Sequence, residues 1–170
     1  IKTYENVARK KPNLADVYRK LGICYEQTNQ PKLAESAFEK ALKLNPNDSN
    51  TLNHLGYWWA DEGRNLSKAA ELITRAVELY PDNGYYADSL GWVYFKIGEI
   101  EKSVLWLERA VQLAPDDAVI HEHLGDVYWH LGRPLEARYK WQLAHEMHSD
   151  KKIRELVSEK IKFGLFPREN

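Results

Sequence analysis

Side chains that could do covalent or metal chemistry are few, and their spacing assembles no reaction centre. Six histidines and one cysteine are the candidates. His145 and His148 stand one helical turn apart, as two metal ligands would, yet no third ligand joins them at helical spacing. The order His-Glu-x-His also differs from the zinc-protease arrangement. His121 and His123 fall on different faces of one helix. Cys24 reads as a small buried apolar residue, and as a lone cysteine it excludes an internal disulfide or a thiolate zinc site. There is no serine–histidine–aspartate order on a strained elbow, no glycine-rich phosphate loop and no lone carboxylate pair in an apolar setting. The expectation is a protein without catalytic activity and without a cofactor.

Binding chemistry is better supplied, because the aromatic residues recur together with glycines at nearly fixed spacing. Leu90-Gly91 is followed by Tyr94, Gly98, Leu107, Ala110 and Pro115. The same marks appear at Leu21-Gly22, Tyr25, Ala34, Phe38, Ala41 and Pro46, and at Leu55-Gly56, Trp59, Gly63, Ala69, Ile73, Ala76 and Pro81. They return at Leu124-Gly125, Tyr128, Gly132, Ala137, Trp141 and Ala144. The steps Gly22 to Gly56 and Gly91 to Gly125 are 34 residues, and Gly56 to Gly91 is 35.

This pattern resembles the tetratricopeptide repeat (TPR) family. The resemblance implies an all-α chain: antiparallel helix pairs stacked into an α-α superhelix, a TPR solenoid, with a C-terminal capping helix. Gly22, Gly56, Gly91 and Gly125 would let paired helices approach closely, with Ala34, Ala69, Ser103 and Ala137 facing them. Phe38, Leu107 and Trp141 would fill the space between neighbouring units.

The units read as 13–48, 49–83, 84–117 and 118–149, with helices of the first over about 14–28 and 31–45. Residues 1–12 read as the second helix of a unit whose first helix is missing. Prolines end the units before the fourth, where Ser149 stands in that place, and Asn13, Asp48, Asn83 and Asp117 are placed to cap the helix that follows. Pro31 and Pro134 fall just inside second helices, where a missing N–H is harmless. The extra residue of the second unit lies in its inter-helix loop, 63–67. Residues 150–164 carry Ile153, Leu156, Val157 and Ile161 at helical spacing and read as the cap. The tail is 165–170, where Leu165 and Phe166 either fold back on the cap or stay free.

Numbering each unit so that Leu-Gly is 7–8, positions 4, 7 and 11 share the core side of the first helix. Positions 2, 5, 9, 12 and 13 share the opposite side, which the family resemblance identifies as the concave groove. That side collects Arg19, Asn53, Tyr57, Tyr85, Asp88, Trp92, Phe95, Lys96, Glu122, Asp126, Trp129 and His130. Tyr57, Tyr85, Trp92, Phe95 and Trp129 would form an aromatic strip, and Tyr57, Trp92 and Trp129 would turn toward one hollow. Six carboxylates, Asp16, Glu26, Asp61, Asp88, Glu122 and Asp126, outnumber Arg19 and Lys96 there. An acidic, aromatic groove suits a protein or peptide segment with apolar anchors and basic residues.

Other ligands are disfavoured. Family members that hold chaperone tails use Lys, Asn and Arg to grip a terminal carboxylate, whereas Ile23, His54, Tyr85 and Ser89 occupy those positions here and only Arg19 is basic. Nucleic acid would require a basic groove, and the net charge is −1. Lys151, Lys152, Arg154, Lys160 and Lys162, interspersed with Glu155 and Glu159, read as a solvated face of the cap. No apolar run approaches the ~20 residues of a membrane helix. The function expected is a scaffold or adaptor holding a protein partner; the alternative is self-association through the aromatic strip or the N-terminal face. The second to fourth units further resemble C-terminal repeats of bacterial envelope TPR adaptors and lipoproteins. That implies a bacterial, periplasmic or outer-membrane setting by resemblance alone.

Overall fold

A computed structural model describes residues 1–165 of the chain; of the expected tail, 166–170 lie outside the described residues. The described residues form ten helices and no strand. In order these are α1 (Lys2–Lys10), α2 (Ala15–Gln27), α3 (Pro31–Leu44), α4 (Ser49–Asp61), α5 (Leu66–Leu79), α6 (Gly84–Ile97), α7 (Ile100–Leu113), α8 (Ala118–His130), α9 (Pro134–Met147) and α10 (Lys151–Phe163). None of these helices is long and apolar enough to cross a membrane.

The pairs α2–α3, α4–α5, α6–α7 and α8–α9 are the most extensively packed. Their closeness depends on a missing side chain. A Cβ added at Gly91 would lie 2.6 Å from Leu107 Cγ, and one at Gly125 would lie 2.5 Å from Trp141 Cδ1. Thus the large residue of the same pair lies directly on the glycine, rather than between units as the sequence suggested. Ala69 and Ala137 approach Gly56 and Gly125 through their carbonyl oxygens. Phe38, Ile73, Leu107 and Trp141 are all fully buried.

Helix starts follow the turn chemistry with two departures. Asn83, Asp117 and Asp150 each accept two backbone amides of the first turn of α6, α8 and α10. Asn13 does not cap α2; Leu14 holds that position without a side-chain bond. Asp48 precedes α4, but its carboxylate accepts the Thr51 hydroxyl at 2.6 Å instead of an amide. The longer loop 62–65 turns through positive φ at Gly63 (69°) and Asn65 (50°). Its Arg64 pairs with Glu62 and with Glu35 of α3 and lies 4.4 Å over the Trp58 ring. Arg64 of this longer loop therefore ties one pair to the pair before it.

Curvature follows from which helices meet. α4 packs on α6 and α6 on α8, and each second helix meets the first helix of the next pair. Second helices make no comparable contact with each other among the described residues. The layer of first helices is therefore the tighter, inner one. α10 packs on α9 as the first helix of another pair would, burying Val157 in the same cluster as Leu124, Val127 and Trp141.

Candidate partner-binding face

With Leu55, Leu90 and Leu124 turned inward, the helical period brings a set of rings onto the inner layer of α4, α6 and α8. They touch in sequence. Tyr57 lies 6.3 Å from His123, His123 stacks on Trp92 at 4.1 Å, Trp92 meets Phe95 at 5.2 Å, and Phe95 meets the edge of His130 at 4.8 Å. Lys96 Nζ stands 5.0 Å over the Trp92 ring and donates to the Asp61 carbonyl at 3.2 Å. His130 Nδ1 donates to the Asp126 carbonyl at 2.9 Å. Trp92 is only 9% exposed, so this ribbon is a floor more than a set of projecting rings.

The polar partner of the floor is Asp88, which is 6% exposed. His123 Nδ1 donates to both Asp88 oxygens, at 2.9 and 3.1 Å. Burial works against the charged imidazole, but Asp88, by charge and by hydrogen bond, with Asp126 and Glu122 beyond it, holds His123 above its ordinary pKa. Burial likewise pushes the Tyr57 hydroxyl well up, and the carboxylates of Asp61, Asp88 and Glu122 add to the shift.

Beside the floor, three first helices border an open cleft of about 300 Å³. Asn53, His54 and Tyr57 come from α4, Tyr85, Asp88 and Ser89 from α6, and Asp117, Val119 and Ile120 from the start of α8. Tyr85 is 59% exposed at its edge.

The far end is closed by α10. Lys160 Nζ donates to Glu122 at 2.6 Å and to both oxygens of Asp126 at 2.9 Å, and the indole of Trp141 donates to Asp126 at 2.8 Å. His148 stands 3.4 Å from Glu122. Burial opposes the Lys160 charge, yet the two carboxylates hold its pKa above the usual lysine value. The reading of Lys160 as part of a solvated face is thus corrected: it turns inward. Trp129 is covered here too, since a Cβ at Gly164 would come within 2.0 Å of its ring, and Ile161 and Leu165 pack in the same cluster. Its ring neighbour is Trp141, at 5.5 Å, not Trp92.

Of the residues singled out in the sequence, the structure brings Tyr57, Trp92, Phe95, Lys96 and His130 into the ribbon. It brings Asn53, Tyr57, Tyr85 and Asp88 to the cleft. Glu122, Asp126 and Trp129 lie under the cap, and Arg19 is apart, paired with Asp16 and 3.8 Å from Asp48. Part of the expected acidic surplus is compensated, by His123 on Asp88 and Lys160 on Glu122 and Asp126, and His54 meets Glu26 at 2.6 Å. His123 and Lys160 were missed in the sequence. A signal existed for the first: His54 and His123 occupy the same place, two residues before Gly56 and Gly125, and each reaches a carboxylate of the preceding first helix.

Comparison with known proteins agrees with this architecture. A tetratricopeptide repeat model matches residues 15–48, and a second TPR repeat model matches 91–132. The chain is 36% identical over 78 residues to the probable UDP-N-acetylglucosamine–peptide N-acetylglucosaminyltransferase SPINDLY of Petunia hybrida, covering 46% of this chain and 8% of that protein. It is 34% identical over 82 residues to the TPR repeat-containing protein PA4667 of Pseudomonas aeruginosa, covering 48% and 14%. The matches therefore span a small fraction of these relatives' length. The crystal structure of PilW, described as a widely conserved type IV pilus biogenesis factor, superposes with a TM-score of 0.84 at 16% identity, covering 96% of this chain and 76% of that one.

Proposed function

Because this chain is a tetratricopeptide-repeat protein, we propose that it is a non-enzymatic interaction scaffold or adaptor that holds a segment of a partner protein along the inner faces of α4, α6 and α8. Repeat solenoids of this kind commonly present an extended concave surface for binding. The observation that carries the reading is the pairing of a rigid floor, Tyr57–His123–Trp92–Phe95–His130, with an open cleft edged by the exposed Tyr85. Aromatic rings fixed in place give contact area at little entropic cost, which is how such surfaces anchor a bound chain.

The bacterial-envelope setting is part of this proposal and rests on resemblance, joined by the relative in Pseudomonas aeruginosa. The second reading is self-association through the aromatic strip or the N-terminal face; exposed Ile153 and Leu156 of α10, at 39% and 61%, offer a further apolar surface for it. Solution mass measured against concentration separates the two.

The test starts with a displayed random-peptide library selected on the whole chain. Tyr85→Ala removes a side chain that is 59% exposed and belongs to no buried cluster, so it should leave the helices intact. It is expected to weaken the selected peptides about tenfold, as loss of an aromatic anchor does. Leu105→Ala, on the outer surface of α7, should change nothing. Equal binding by wild type and Tyr85→Ala would discard the inner face as the binding surface.

A further inference from the structure

The cleft among α4, α6 and α8 is lined by two carboxylates, Asp88 and Asp117. The Oδ1 atom of Asn53 is buried and has no hydrogen-bond partner among the described residues. Asp117 uses Oδ1 to accept the amides of Val119 and Ile120, at 2.9 and 3.1 Å, and its other oxygen takes no bond among the described residues. The Asp88 carboxylate lies on the α6 side, where both its oxygens face His123 Nδ1 and keep further acceptor capacity. Two polar groups of the lining are engaged: Ser89 gives its hydroxyl hydrogen to the Tyr85 carbonyl at 2.9 Å, and His54 Nε2 meets Glu26 at 2.6 Å. No lysine or arginine lines the cleft.

A buried acceptor without a donor is costly, and the group that would satisfy it is one with several N–H donors and a positive charge. Tyr57 and Tyr85 add ring faces, which attract a cation. The volume, about 300 Å³, is at the small end of ligand sites and suits one side chain rather than a cofactor. Resting on the groove reading above, we propose that this cleft is a subsite for a single basic side chain, arginine foremost, of the segment bound along the inner face. Arginine fits better than lysine because its planar fork offers several donors to separate acceptors while it stacks on a tyrosine ring.

The test uses N-acetyl-arginine methylamide as probe, with the uncharged citrulline analogue as control, added to the isotope-labelled whole chain. Arginine should shift the backbone amides of Asn53, Ser89 and Asp117, and citrulline should not. Asp117→Asn retains the α8 cap, because asparagine caps as well as aspartate, and should weaken the arginine response by about tenfold, as expected for a lost charge-assisted bond. Shifts of equal size with citrulline, no shift with arginine, or an undiminished response in Asp117→Asn would each overturn the subsite. Peptides selected on the chain separate this result from the wider reading. If they lose affinity in Tyr85→Ala yet show no preference for a basic residue, the groove stands and the subsite falls. If Tyr85→Ala leaves them unaffected, the groove reading itself fails.

Discussion

The imidazole of His123 lies 4.1 Å from the Trp92 ring and only 16° from parallel to it, while its Nδ1 faces both oxygens of Asp88. This one contact fixes the offset between α6 and α8, because a shift of either helix would separate both the stacked rings and the charged pair. It also joins the two halves of the aromatic floor.

A pH dependence follows, with a definite sign. His123 has a folded-state pKa above its unfolded value, so its pairing with Asp88 contributes fully below the unfolded value of about 6.5 and is lost as pH rises through the folded pKa. Denaturant unfolding of the wild type should therefore show stability falling above pH ~6.5. In His123→Gln that slope should flatten. Parallel curves for the two proteins would show that His123 does not titrate differently on folding.

The glycine seams should not tolerate a side chain. Gly91→Leu would drive its side chain into Leu107, and overpacking of this kind costs about 1–3 kcal/mol. Thermal unfolding should fall by several degrees. Gly98→Ala, at a positive-φ helix end with no neighbour within 4 Å, should be strained by its backbone alone.

Lys160 is predicted to hold the cap. Lys160→Met leaves Glu122 and Asp126 together without their cation, a change that costs about 3 kcal/mol when the partner is mostly buried. Because the loss is local, amide exchange should quicken through α10 and remain slow in α4 and α6. Uniform exchange rates across the two proteins would contradict it.

Trp129 and Trp92 are expected to behave differently from one another. Trp129→Ala removes the ring beneath Gly164 and should loosen α10, detected by the same exchange experiment, at a cost of up to about 3 kcal/mol. Trp92→Ala should instead disturb His123 and the floor of α6 and α8.

What the sequence revealed and what it concealed divide along a physical line. Leu90-Gly91, Pro81 and Asn83 act on residues close to them in the chain or within one helix pair, so their spacing repeats and can be read directly. The contacts His123–Asp88, Trp92–His123 and Lys160–Asp126 join different units, 31 to 35 residues apart. They depend on how far each first helix slides along its neighbour, a distance no periodicity encodes. For that reason Trp129 looked open from its position alone, although the end of α10 covers it. For the same reason the groove looked more acidic than it is.

The most direct test of the central claim is to map a selected peptide on the isotope-labelled chain by chemical shift. The largest changes should fall on α4, α6 and the start of α8, at Asn53, Tyr57, Tyr85, Ser89 and Asp117. Changes concentrated instead on the outer residues of α7 and α9, such as Leu105 and Tyr139, would contradict it.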